Sequence, residues 1–250
     1  MVAQPIPYLL SKDNRGCCDN ICYSGVADIF RLPKFSLSFF RTQIAEGSML
    51  PSGKMPYEVF IPAYRDEILS DTVMVYGNVD EVELVLNGKT IRRQTADKGP
   101  DSDYIPVPNG GNGKNLHFPP FTFYGVPKER GVLKAVGYHQ GKKVAEYTVK
   151  TPGVPERLDI TYFESGKPAT KNDLLIVYVR MLDKQGVLCP VNGIPVELSV
   201  QGGEIVGPTS YQLEAGVASF LVRTGEISKI NINATGKGFS TRKSLKVGKE

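Results

Sequence analysis

The sequence predicts a mainly β protein: two tandem immunoglobulin-like β-sandwich domains preceded by a short N-terminal loop-and-helix segment. Three observations predict this. From Pro56 onward, apolar residues alternate with polar ones at the two-residue period of a strand. The 250 residues include 26 Gly and 18 Pro, a content that suits short strands and turns better than long helices. Finally, Thr151-Pro152-Gly153-Val154-Pro155 breaks the pattern and leaves a strand-rich block of about 100 residues on each side, the usual size of such a sandwich.

Composition sets the outer bounds. Hydrophobic residues make up 41% and charged residues 22%, the balance of a chain that buries a core. The net charge of +4 is mild, and Lys and Arg are interleaved with Asp and Glu, which argues against nucleic acid as a partner. No apolar run approaches the roughly 18 residues of a membrane span. Met1–Leu10 has no basic start and two prolines, so it is a poor signal peptide, and a signal for export would lie upstream.

Along the chain, residues 1–24 have little periodicity. Residues 33–43 fit a helix, with Pro33 at the first helical position, where its missing N–H costs nothing, although the alternation Phe35-Ser36-Leu37-Ser38-Phe39 would also satisfy a strand; the resemblance set out below favours the helix. Leu32, Phe35, Phe39 and Phe40 then share one face. An aromatic face of this kind needs a partner surface, either a neighbouring domain or a second copy through Phe35, Phe39 and Phe40. Residues 44–56, with their Gly, Ser and Pro, read as a linker. Val73, Val75, Val82, Leu84 and Leu86 then mark strands that end at Asn87-Gly88, a strong type I′ hairpin signal. Residues 97–115 read as a long loop. Phe118–Phe123 resumes a strand whose prolines confine its start to an edge. Leu133–Tyr138 and Val144–Val149 form a second hairpin about a turn at 139–142. In the second block Leu175, Val177, Val179 and Met181 share a face, as do Val196, Leu198 and Val200, then Ala218, Phe220 and Val222, then Ile230, Ile232 and Ala234. The resulting divisions are 1–45, 46–152 and 153–250.

Few residues carry the marks of chemistry. Cys17, Cys18 and Cys22 crowd together, with Cys189 far away and only two histidines, His117 and His139. Zinc sites use four Cys or His ligands in paired spacings, so buried free thiols are the simpler account. Glu81 and Glu83 fall on one face of a strand whose other face is apolar, which makes them a solvated pair before a catalytic one. Asp28 and Arg31 read as a cap or ion pair, and Asp13-Asn14-Arg15 as loop residues with a chance of touching sugar. Tyr64, Tyr104, Tyr124 and Tyr138 are the candidates for exposed rings on which a sugar stacks. Asn109-Gly110-Gly111-Asn112-Gly113 lacks the strand–helix setting of a phosphate loop. Lys237, Arg242, Lys243, Lys246 and Lys249 read as a solvated strand and tail.

Three stretches resemble glycoside hydrolase family 2, the β-galactosidase and β-glucuronidase group. Asp19–Lys34, with Gly25-Val26-Ala27-Asp28-Ile29-Phe30-Arg31-Leu32-Pro33-Lys34 at its end and Thr42-Gln43 beyond, is similar to the last loop and helix of the family's (β/α)8 barrel. Val75–Lys89 resembles the hairpin that opens the β-domain after the barrel. Phe118–Phe123, Gly131–Tyr138 and Val149–Gly153 resemble the rest of that domain, so the likeness spans residues 19–153. The last block is similar to an appended Ig-like domain. The resemblance implies a β-galactosidase-like parent whose retaining chemistry needs two carboxyl groups about 5–5.5 Å apart. In the family the acid is the Glu of an Asn-Glu dipeptide, and this chain has no such dipeptide; it also has no Trp. The expectation is an accessory region, inactive alone, with no catalytic, cofactor or metal residues and the parent's catalytic barrel as partner. The alternative is an autonomous carbohydrate-binding module.

Overall fold

The structure, a computed structural model, describes residues 25–28, 30–63, 71–97, 116–163 and 168–248. The readings made for Asp13-Asn14-Arg15, Cys17, Cys18, Cys22, Tyr64, Tyr104, residues 109–113 and Lys249 lie outside those residues. The chain forms two compact units, Gly25–Ala27 with Pro33–Thr151 and Asp28–Leu32 with Pro152–Glu250.

The first unit opens with α1 (Phe35–Thr42). Pro33 is not the first helical residue, as the sequence suggested. Lys34 is extended (φ −86°, ψ 164°) and gives its N–H to Val26 O at 3.0 Å, while Pro33 bridges to Ala27, so the helix starts at Phe35, two residues after Pro33. The aromatic face divides. Phe35 meets Phe60 edge-on at 5.4 Å and Phe39 meets Tyr76 at 5.0 Å, whereas Phe40 stays 56% exposed.

The stretch read as a linker holds a small hairpin, β1 (Met49–Leu50) and β2 (Gly53–Lys54). It is followed by β3 (Val59–Phe60), β4 (Val73–Gly77), β5 (Glu81–Leu86), β6 (Lys89–Thr95), β7 (Phe121–Phe123), β8 (Val132–His139) and β9 (Lys142–Lys150). These strands make two antiparallel sheets, ordered β3-β4-β7 and β6-β5-β8-β9. Val73, Val75, Phe121 and Phe123 from one sheet and Val82, Leu84, Leu86 and Leu133 from the other close a single core. Alternation on β5 is the reason: apolar side chains at every second position point inward, and their neighbours point to solvent. The β5–β6 turn uses Asn87 and Gly88 at φ +50° and +81°, a pair of positive values that glycine adopts without cost and Asn tolerates.

Asn78 fixes how the loop before β3 meets this sandwich. Its buried amide accepts from the Glu58 N–H at 2.6 Å and donates to Ile44 O at 2.9 Å and Pro56 O at 3.0 Å. Arg41 of α1 also pairs with Glu58. Asn78→Ala leaves three backbone groups without this partner and is expected to destabilise the unit by about 2 kcal/mol, read as a lower urea midpoint.

The second unit contains β10 (Pro155–Tyr162), β11 (Leu174–Asp183), β12 (Pro195–Gln201), β13 (Gly203–Ile205), β14 (Ser210–Gln212), β15 (Val217–Thr224), β16 (Lys229–Gly236) and β17 (Phe239–Lys246). Its sheets are β10-β11-β15-β13 and β14-β12-β16-β17, again antiparallel. Leu158, Val177, Val179, Phe220, Leu198 and Ile232 belong to the one core between them. The outer face of the second sheet is polar throughout, with Glu197 and Ser199 on β12, Asn231 and Asn233 on β16, and Arg242 and Ser244 on β17. Asp183 ends β11. Its Oδ1 accepts from the N–H groups of Gln185 and Val187, and its Oδ2 from that of Gly153.

Candidate functional site

The richest cluster of polar side chains in the first unit lies on the outer face of β6-β5-β8-β9. Alternation on β5 sends Glu81 and Glu83 outward, and the register sets Glu81 opposite Tyr138 and Glu83 opposite Arg93. The contacts run along the diagonals. Arg93 Nη2 reaches Glu81 Oε2 at 2.5 Å, and the Tyr138 hydroxyl donates to Glu83 Oε2 at 2.7 Å. The Thr90 hydroxyl donates to Glu83 Oε1 at 2.7 Å, and the Arg93 guanidinium lies 3.7 Å from the centroid of the Tyr138 ring. Further across the face, Glu146 pairs with Lys143 at 2.6 Å and with Lys134 at 3.7 Å. At the end of the sheet Asp80 accepts from the Gln140 N–H at 2.8 Å and meets His139 Nδ1 at 3.1 Å, while Tyr57 stacks on His139.

These contacts set the charge states. The hydroxyls of Thr90 and Tyr138 hold the Glu83 carboxyl below its ordinary range. Its bond to Glu83 pushes the Tyr138 phenol up. The Gln140 N–H lowers Asp80, and Lys143 lowers Glu146. A glycosidase general acid needs the opposite, a carboxyl raised so that it keeps its proton near neutrality. Glu83 is therefore an acceptor fixed in an ion-pair lattice, and its neighbour Glu81 is taken up by Arg93. The same lattice covers one face of Tyr138, one of the rings named as a sugar-stacking candidate.

Asp28 caps a turn: its Oδ1 accepts from the N–H groups of Phe30 at 2.8 Å and Leu32 at 2.9 Å, and its carbonyl accepts from that of Arg31. Tyr124 is half-buried. Cys189 is a buried free thiol whose pKa burial pushes up. Among the described residues no group of three or more His, Cys, Asp or Glu could hold a metal ion. The sequence reading placed a turn at Asp183-Lys184-Gln185-Gly186 but missed two anchoring roles. Tyr178, its phenol pushed up to about 12 by burial and by Asp28, donates to Phe30 O. Asp183 organises the turn that follows β11, and the Asp-Lys-Gln-Gly spacing was the available signal for it.

A family model described as "Domain of unknown function (DUF4982)" matches residues 70–145. The β-galactosidase of Thermoanaerobacter pseudethanolicus is 33% identical over 221 residues, which is 84% of this chain and 28% of that enzyme. A β-glucuronidase from glycoside hydrolase family 2 superposes with a TM-score of 0.71 at 21% identity, over 92% of this chain and 23% of that one. The β-galactosidase of Rhizobium radiobacter is 30% identical over 129 residues, 51% of this chain and 92% of that sequence. The chain belongs to glycoside hydrolase family 2. It spans about a quarter of the longer family 2 relatives, which fits a C-terminal, non-catalytic accessory region of such an enzyme. The family 2 sandwiches also account for the mainly β architecture, and the polar face of β5 is part of the stretch that the family model matches.

Proposed function

We propose that the chain braces the catalytic barrel of a β-galactosidase-like family 2 enzyme and takes no part in bond cleavage. The observation that carries this reading is the share matched: 84% of this chain aligns with only 28% of a β-galactosidase. The closed ion-pair lattice around Glu81 and Glu83 supports it, because those carboxylates are committed to Arg93, Thr90 and Tyr138. In this reading residues 1–45 are the end of the barrel, 46–152 the first sandwich and 153–250 an Ig-like second one. Phe35 and Phe39 pack on the chain's own sheet, so a homodimer through Phe35, Phe39 and Phe40 would rest on the last ring alone.

The test is direct. The purified 250-residue chain is assayed on chromogenic β-galactosides and β-glucuronides and titrated calorimetrically with galactose and lactose. The expected result is no turnover above the blank and no saturable heat at millimolar sugar. Turnover that disappears in Glu83→Gln or Glu81→Gln would overturn the proposal. Saturable sugar binding would replace it with the carbohydrate-binding module.

A further inference from the structure

The polar outer face of β14-β12-β16-β17 carries charge that its own strands do not balance. The hairpin Lys229–Lys246 holds five cations and no Asp or Glu. Lys229 stands directly opposite Lys246 on the outer face, and Arg242 lies further along the same edge strand, opposite Asn233. Like charges set opposite each other across a strand pair are destabilising. All three side chains are exposed, and among the described residues none of them makes an ion pair, whereas Arg180 and Arg223 on the other sheet are paired with Asp159 and Glu204. The carboxylate of this face, Glu197, is in the row of Thr235 and Ser240, three rows from the lysine pair.

Short polar side chains fill the space between the cations. Ser244 Oγ donates to Asn231 Oδ1 at 2.7 Å, which leaves the Asn231 NH2 group as a donor, and Asn233 Nδ2 reaches Ser199 Oγ at 3.5 Å. Four residues of strand separate Arg242 from Lys246, a span of about 13 Å. A single sugar does not bridge it, and a chain of several sugar units does. The chemistry narrows the occupant further. None of the outward residues of β12, β16 and β17 is aromatic, so a nucleic acid strand finds no ring on which to stack its bases. None is a large aliphatic residue that could enter a bilayer. Amides and hydroxyls match the hydroxyls of a sugar, and a guanidinium takes a carboxylate through two parallel hydrogen bonds.

We propose that this face binds an acidic polysaccharide, a chain of uronate units whose carboxylates lie on Lys229, Lys246 and Arg242 and whose hydroxyls lie on Asn231, Asn233 and Ser244. The proposal goes beyond the bracing role. It concerns a charged polymer laid along a strand face, and free galactose and lactose carry no charge for these cations, so a blank in their calorimetry leaves it standing.

The experiment immobilises polygalacturonate and measures binding of the 250-residue chain by interferometry, with neutral galactan and oligothymidylate as comparison surfaces. Saturable binding to polygalacturonate is expected, weakened about tenfold as NaCl rises from about 50 to about 300 mM. The triple variant Lys229→Gln, Arg242→Gln, Lys246→Gln is expected to bind about tenfold more weakly. A control that removes the same charge from the first unit, Lys89→Gln, Lys142→Gln, Lys150→Gln, is expected to lose less than about twofold. Equal losses in the two triple variants, equal binding to galactan, tighter binding to oligothymidylate, or no binding to polygalacturonate overturns the proposal. Lys246→Glu serves if the triple variant fails to fold, because it sets opposite charges face to face with Lys229. Native affinity in folded Lys246→Glu also overturns the proposal. The outcome is independent of the turnover assay: hydrolysis by the isolated chain would sink the accessory role and leave this surface standing, and the reverse pattern would sink the surface alone.

Discussion

Phe220→Ala is expected to destabilise the second unit by about 3–5 kcal/mol, a large part of what holds a small domain together. Phe220 sits on the inner face of β15, 1% exposed, in register with Val177 on β11. Its ring meets Tyr211 of the opposite sheet edge-on at 5.3 Å. Truncation removes the transfer free energy of the ring and leaves a cavity that cannot collapse, because β11 and β13 flank β15 on both sides and fix its position. The chain has no Trp, so far-UV circular dichroism in urea is the measurement. Leu174→Ala on the outer face of the neighbouring strand is the control and should shift the curve by less than about 1 kcal/mol.

Asp183→Ala is expected to cost on the order of 3 kcal/mol, for a different reason. The carboxylate is buried and is the acceptor for the N–H groups of Gly153, Gln185 and Val187. It thus ties the segment entering the second unit to the turn after β11. Burial pulls this carboxyl's pKa up, but the backbone donors outweigh burial and leave it below the ordinary value. Folded Asp183 therefore holds its proton less tightly than unfolded Asp183. Its contribution is complete above the ordinary Asp range, near pH 4, and is lost as pH falls through the lowered folded value. Urea midpoints measured from pH 6 down to pH 2 should fall on the acid side for the native chain and fall less steeply for Asp183→Asn. An unchanged acid limb in the Asp183→Asn variant would contradict the assignment.

The fold was legible where a period could be counted. Val82, Leu84 and Leu86, and then Leu175, Val177, Val179 and Met181, are buried as their alternation required. Asn87-Gly88 makes its hairpin for the reason written in its composition. The turn at 139–142 was read as well, and Gln140-Gly141 adopts the same pair of positive φ values; the turn at Lys237-Gly238 does the same without a residue that advertises it. The hairpin at 49–54 escaped because two-residue strands have no period to count. The Phe spacing left helix and strand both open and the resemblance chose the helix; its start was set by the Val26–Lys34 bond, which propensity does not contain. The candidate site was the least legible part. That Glu81 and Glu83 point outward follows from the strand alone. That Arg93 takes one and Tyr138 the other depends on which residue stands diagonally across two neighbouring strands, and register is a tertiary property.

One further feature acts between molecules. β17 closes its sheet as an edge, and Lys243 projects from the core-facing side of that edge toward the Tyr162 ring, with Arg242 and Lys246 on the opposite face. Another chain adding to this ribbon would have to bring its own backbone against cationic side chains on both faces and strip water from an ammonium group. Cations on an exposed edge of this kind disfavour templated strand addition, and neutralising Lys243 is expected to weaken that barrier.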